Sequence, residues 1–157
     1  MCDGMDLSPH FTFEELTNST KDHLVEQNRF EAKLYIGALV DLCATLLEPI
    51  RARFGPVVVH CGFRGPTLNA ATRGSSKTSQ HLKGEAVDFH CPGAALQDVM
   101  RWIVCESGLK YGQAILEGRN GPPTWIHLSL GTPYRTGSKC MQALVTTDGV
   151  NYSPWKG

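Results

Sequence analysis

Two histidines and a carboxylate, His81, Asp88 and His127, are the residues of this chain best suited to joint chemistry. The first two stand in Ser79-Gln80-His81-Leu82-Lys83-Gly84-Glu85-Ala86-Val87-Asp88-Phe89, the third far downstream in Trp125-Ile126-His127-Leu128-Ser129. Such a set gives zinc three protein donors and leaves a fourth position for water, which separates a hydrolytic zinc from a structural one. The expected ligands of one Zn2+ are therefore His81, Asp88 and His127. The competing reading is that scattered histidines face solvent or hydrogen-bond within a core. His10 and His23 lie in polar surroundings and read that way. His60 and His90 end apolar runs, so they read as structural residues or as donors placed behind the ligands.

Strands must carry these side chains. Ala86, Asp88 and His90 alternate onto one face of a short run, and Trp125, His127 and Ser129 onto one face of another. A carboxylate flanked by Ala86, Val87 and Phe89 is costly to bury unless a cation or several hydrogen bonds compensate it. His81 precedes Gly84, on an expected turn that folds back over Asp88. Further β-rich runs are Pro56–His60, Gln113–Glu117 and Met141–Thr146. Leu39, Leu42, Leu46, Ile50 and Phe54 recur at helical spacing before Gly55-Pro56, with a kink or fresh start expected at Pro49. A second helix is expected over Leu96, Val99, Met100, Ile103 and Val104, closing near Gly108. The mixture predicts an α+β fold, a small, mostly antiparallel sheet with flanking helices.

At 157 residues the chain is expected to form one domain, residues 1–157, with a polar segment over 1–30 packing on it or leading into it. Fifteen basic and fifteen acidic residues cancel, so composition argues for neither nucleic acid nor an anionic membrane. No run is long and apolar enough to span a bilayer, and Met1 to Thr20 lacks the pattern of a signal peptide, so neither membrane insertion nor self-directed export is expected. The six cysteines, Cys2, Cys43, Cys61, Cys91, Cys105 and Cys140, are scattered singly and predict reduced thiols. Cys91 alone lies close in sequence to an expected ligand. With no heptad repeat, a monomer is expected.

Ser79-x-His81-x-x-Gly84-x-Ala86-x-Asp88, followed by Trp125-x-His127, resembles the zinc D-alanyl-D-alanine carboxypeptidase family and its phage endolysin relatives. Leu7-Ser8-Pro9-His10-Phe11-Thr12, Leu47-x-Pro49-x-Arg51-x-x-Phe54-Gly55, Cys61-Gly62-Phe63-Arg64-Gly65-Pro66 and Gln113-x-Ile115-x-Glu117 extend the likeness from about Leu7 to Leu130. The resemblance implies a zinc peptidase acting on peptidoglycan stem or cross-bridge peptides, either as a carboxypeptidase or as an endopeptidase. It also implies synthesis in a bacterial host's cytoplasm and work on the cell wall, after release or as part of a virion.

A general base must still take the water's proton. Parts of the family carry an acid or histidine just before the last zinc histidine, whereas this chain has Thr124, Trp125 and Ile126. Glu117 is therefore the expected base, with Glu85 a lesser option. Arg64, on a turn between Gly62 and Gly65, is expected to bind a substrate carboxylate or the oxyanion. Ser79 and Trp125 are the further substrate-binding candidates, ahead of Gln80 and Gln113; a local turn cap and a core tryptophan are their bland alternatives. The missing acid also motivates a rival from another class, a zinc-containing but catalytically silent module for wall binding or virion structure.

Overall fold

The computed structural model describes residues 4–137 and 140–157, which leaves Cys2 and the start of the polar lead outside the described residues. A six-stranded sheet organises the chain. Its strands are β3 (Val58–Cys61), β4 (Ala86–His90), β5 (Tyr111–Glu117), β6 (Trp125–Leu130), β7 (Gln142–Thr146) and β8 (Ser153–Pro154), in the order β3-β4-β6-β5-β7-β8. Every pairing is antiparallel except β5 with β7. The expected α+β class and mostly antiparallel sheet are what forms, with one parallel pair added.

Parity divides the sheet into two faces. Val87 and Phe89 of β4, Ile126 and Leu128 of β6, and Ala114 and Leu116 of β5 are all fully buried. They form one core with Leu39, Leu42, Leu46 and Ile50 from the long helical segment, and with Val99, Met100 and Ile103 from the second. The intervening residues, Asp88, His127 and Glu117 among them, point to the opposite face.

The long segment runs from α3 (Ile36–Leu42) through a π-helical stretch, Cys43–Leu47, into α4 (Glu48–Phe54). The fresh start expected at Pro49 is what forms, since the π stretch ends at Leu47 and α4 begins at Glu48. Pro49 sits in the first turn of α4, where its missing N–H costs nothing, and the wider π turn just before it accommodates the crowding around the ring. The second helix has the same construction, with α5 (Leu96–Arg101) followed by a π stretch, Trp102–Glu106.

The lead segment is part of the core. Strands β1 (Asp6–Ser8) and β2 (Phe11–Thr12) pair, α1 (Phe13–Leu16) follows with Thr12 as its cap, and Leu7, Phe11, Phe13 and Leu16 are buried. Next comes α2 (Val25–Ala32), which buries only Asn28 and Ala32 and so shows no apolar stripe. Among the described residues no helix is long and apolar enough to cross a membrane.

Candidate active site

One row of the outer face crosses five strands: Cys61, Asp88, His127, Ile115 and Leu144 are successive register partners. The Asp88–His127 pairing brings His127 Nδ1 to 2.9 Å from Asp88 Oδ1. His81 arrives from a 3-10 turn, Gln80–Lys83, that Gly84 ends with φ of +67°, a left-handed conformation that favours glycine. This turn sets His81 Nε2 at 3.3 Å from Asp88 Oδ1 and 3.2 Å from His127 Nδ1. Three residues spread over 46 positions of the chain thus present three atoms to one point.

The protonation of His81 follows from its other nitrogen. His81 Nδ1 lies 2.7 Å from the Gly62 carbonyl, which only accepts, so Nδ1 carries the proton and donates. In the neutral ring Nε2 is then a bare lone pair aimed at a carboxylate oxygen, an arrangement that a cation must relieve. Burial by itself disfavours charge on His81, but the nearby Asp88, seconded by Cys61, raises its pKa well above the ordinary histidine value. Burial would likewise neutralise Asp88, yet His81 and the hydrogen bonds from both histidines hold its carboxyl far below the usual range.

The orienting carbonyl is itself fixed by the lead segment. A Cβ at Gly62 would overlap the Leu16 carbonyl, and that carbonyl accepts from Phe63 N at 2.7 Å. Buried Asn28 completes the clamp: its Nδ2 donates to Thr17 O and Phe63 O at 2.8 and 3.0 Å, and its Oδ1 accepts from Gly65 N at 2.8 Å. The turn held this way presents Arg64, whose Nε donates to Asn69 Oδ1 at 3.0 Å and whose Nη2 reaches Ser79 Oγ at 3.4 Å. Both partners are neutral, so the guanidinium keeps its charge for a ligand.

Arg64, Ser79, His81, Asp88 and His127 line a cleft of about 550 Å³ together with Glu117. Burial raises the Glu117 pKa; the charge of Asp88 adds to this and His127 opposes it. Trp125 Nε1 donates to Glu117 Oε2 at 3.1 Å across the β5–β6 pairing. Among the described residues Trp125 is a support for Glu117 and not part of the cleft lining. Ser79 and Gln113 line the cleft, and Gln113 is held by Gln142 at 2.9 Å.

The family model for peptidase M15 matches residues 9–129. The chain belongs to the peptidase M15 family. It is accordingly a metallopeptidase, of a family whose peptidases are zinc-dependent and act on peptide substrates. No curated protein matches the chain.

Does this M15 chain fit zinc? Ligands about 2.0–2.1 Å from a tetrahedral zinc stand roughly 3.3 Å from one another. The His81, Asp88 and His127 atoms, 2.9–3.3 Å apart, come close to that spacing before any ion is placed. The Nδ1–H bond from His81 to the Gly62 carbonyl is the support that a zinc-ligating histidine requires. A second set competes, because Cys61, His81 and Asp88 also offer donor atoms within 4.8 Å of one another. Cys61 Sγ, however, lies 3.8 Å from His81 Nδ1, the nitrogen already committed to Gly62. Cys91, the cysteine nearest an expected ligand in sequence, is buried and its thiol pKa is pushed up to about 11 by that burial. His60 and His90 stack on each other with ring nitrogens 2.8 Å apart, bonded to one another on the same outer face.

Asn28, Cys61, Arg119, Arg135 and Tyr152 are among the site's residues that periodicity and spacing did not single out. Their shared reason is that none belongs to a local pattern: register, a bulge or a distant turn brings each one in. The Gly62–Gly65 turn was the available signal for Asn28, because its backbone groups needed a partner.

Proposed function

We propose that this M15 chain is a zinc peptidase that cuts peptidoglycan stem or cross-bridge peptides, with His81, Asp88 and His127 as ligands of one Zn2+. The observation that carries the reading is the convergence of three donor atoms, 2.9–3.3 Å apart, in a cleft that Glu117 and Arg64 also line. Zinc, when bound, supplies Lewis-acid chemistry that polarises a carbonyl and lowers the pKa of water.

The chain's own residues do the rest. Glu117 takes the proton of the attacking water and returns it to the leaving amine. The Trp125 indole fixes Oε2 and leaves Oε1 for that proton. Burial favours the acid form of Glu117, which brings its proton affinity closer to working pH than that of an exposed carboxylate. Arg64, steadied by Asn69 and Ser79, binds the peptide's carboxylate or the oxyanion through its planar fork. Such a substrate puts the work at a bacterial cell wall, as for a lysin or a virion-borne wall-opening enzyme.

The test is digestion of purified peptidoglycan, with and without a chelator and then with zinc restored, followed by mass spectrometry of the fragments. Chelator-sensitive release of D-alanine marks a carboxypeptidase; stem fragments mark an endopeptidase. Zinc-loaded, folded protein that releases nothing from several wall types contradicts the proposal and leaves the silent module.

A further inference from the structure

The family match ends at residue 129, yet the cleft does not. Leu144, Gly149 and Tyr152, all from the later β7–β8 segment, line it beside Glu117. The parallel register of β7 on β5 is the cause, since it sets Leu144 against Ile115 and Thr146 against Glu117. Beyond Thr146 the chain turns back over the end of the sheet. Gly118 N donates to Thr146 O at 2.9 Å and Gly121 N to Thr147 O at 3.1 Å, tying this turn to the loop that carries Arg119.

The turn is held together by its own hydrogen bonds. Asp148 Oδ1 accepts from Val150 N and Asn151 N, each at 2.8 Å, and from Thr146 Oγ1 at 3.1 Å, while Oδ2 accepts from Asn151 Nδ2 at 2.7 Å. Its negative charge is therefore absorbed by the turn's own donors. Gly149, at φ of +73°, packs beside the Arg119 stem, where a Cβ would be in ordinary van der Waals contact with Arg119 Cγ at 3.8 Å. Arg119 lies over the Trp125 ring, 5.9 Å from its centroid. Among the described residues no carboxylate forms an ion pair with it; the arginine ion pairs belong to Arg29 and Arg101. Tyr152 is 46% exposed, and its hydroxyl makes one long bond, to Gly149 O at 3.2 Å.

We propose that Arg119 and Tyr152 form an anion subsite on this added wall, taking a side carboxylate of the bound peptide. A guanidinium and a phenol O–H both donate, and neither has a charged partner to give up. Arg64 follows the end of β3, beyond Asp88, whereas Arg119 lies past Glu117 at the opposite end of the strands. Cations thus flank the three-donor cluster, Arg119 at one end and Arg64 at the other, with Arg135 also lining the cleft beside Gly112. An anionic peptide lying along the cleft is held on both sides of that cluster. The inference rests on the peptidase reading and adds its choice of substrate.

The test uses two stem-type peptides identical except that one side carboxylate is free or amidated. Their binding is measured by calorimetry on Glu117→Gln protein, alone or with Arg119→Gln or Tyr152→Phe. We expect the parent to favour the free acid by about five- to tenfold, as a partly exposed charge-assisted bond supports. Arg119→Gln should remove that preference and Tyr152→Phe reduce it, with affinity for the amidated peptide unchanged. Equal losses for both peptides, or an undiminished preference, overturn the subsite while the peptidase reading stands. Failure of the zinc-loaded wild type to cleave either peptide overturns that reading and the subsite with it.

Discussion

The two faces of the sheet differ by a single residue of parity and by everything else. Phe89 is fully buried in the core, and its neighbour Asp88 lies in the donor cluster on the other side. The inner face buries apolar area, which stabilises the fold. The outer face gathers a carboxylate, histidines and a half-buried acid, each of which costs stability unless a ligand or partner compensates it. In this molecule the stability of the fold and the chemistry of the site are carried by alternate residues of the same strands.

Neighbouring substitutions break the comparison most sharply. Asp88→Asn should abolish hydrolysis while keeping the side-chain volume and an acceptor for the two histidines, so the metal-free protein should lose less stability than a core deletion costs. Phe89→Ala should lower stability by about 3–5 kcal/mol and spare turnover per folded molecule. Denaturant melts paired with rates check this, and matched behaviour of the two variants would dissolve the two-face account.

Glu117→Gln is the next largest effect: a loss in kcat of about 10²–10⁴ with zinc content unchanged. A base acts when ionised, and the Glu117 pKa is raised. Wild-type activity should therefore fall as pH drops through a value higher than that of an ordinary glutamate. That limb should vanish from the residual rate of the variant, and a limb that persists would assign the base elsewhere.

Asn28→Ala would sharpen the picture of how the lead segment reaches the site. It leaves the Gly65 N–H and two carbonyls without their partner, at a cost of about 2–3 kcal/mol. Because the same clamp presents Arg64, KM should rise as well; a stability loss with unaltered KM would make Asn28 a fold residue only. Smallest is Trp125→Phe, which keeps the ring and removes the bond to Glu117 Oε2. A drop in kcat of up to about tenfold is expected for one hydrogen bond, with KM and zinc content constant.

Much of this arrangement was legible in residue order. Strand β4 has the bounds that alternation predicts, Ala86–His90, because Gly84 marks its start and every second residue is apolar. Its partner β6 follows the same logic, so the facing of Asp88 and His127 was within reach of parity alone. The lead helix α2 was not legible, because only Asn28 and Ala32 turn inward and no periodic stripe is written. Cys61 reached the Asp88 row through a register shift after Val59, which adjacent residues do not report. The wall formed by β7 depends on a parallel pairing across the sheet, and parallel order is set by where the chain crosses over, not by the composition of either strand.

Zinc stoichiometry in three proteins tests the central claim most directly: the wild type, His127→Ala and Cys61→Ala, each dialysed against limiting zinc and measured by elemental analysis. The outer-face account predicts one zinc per wild-type chain, loss of that zinc in His127→Ala, and its retention in Cys61→Ala. Zinc kept without His127 but lost without Cys61 would contradict the account and assign the ion to Cys61, His81 and Asp88.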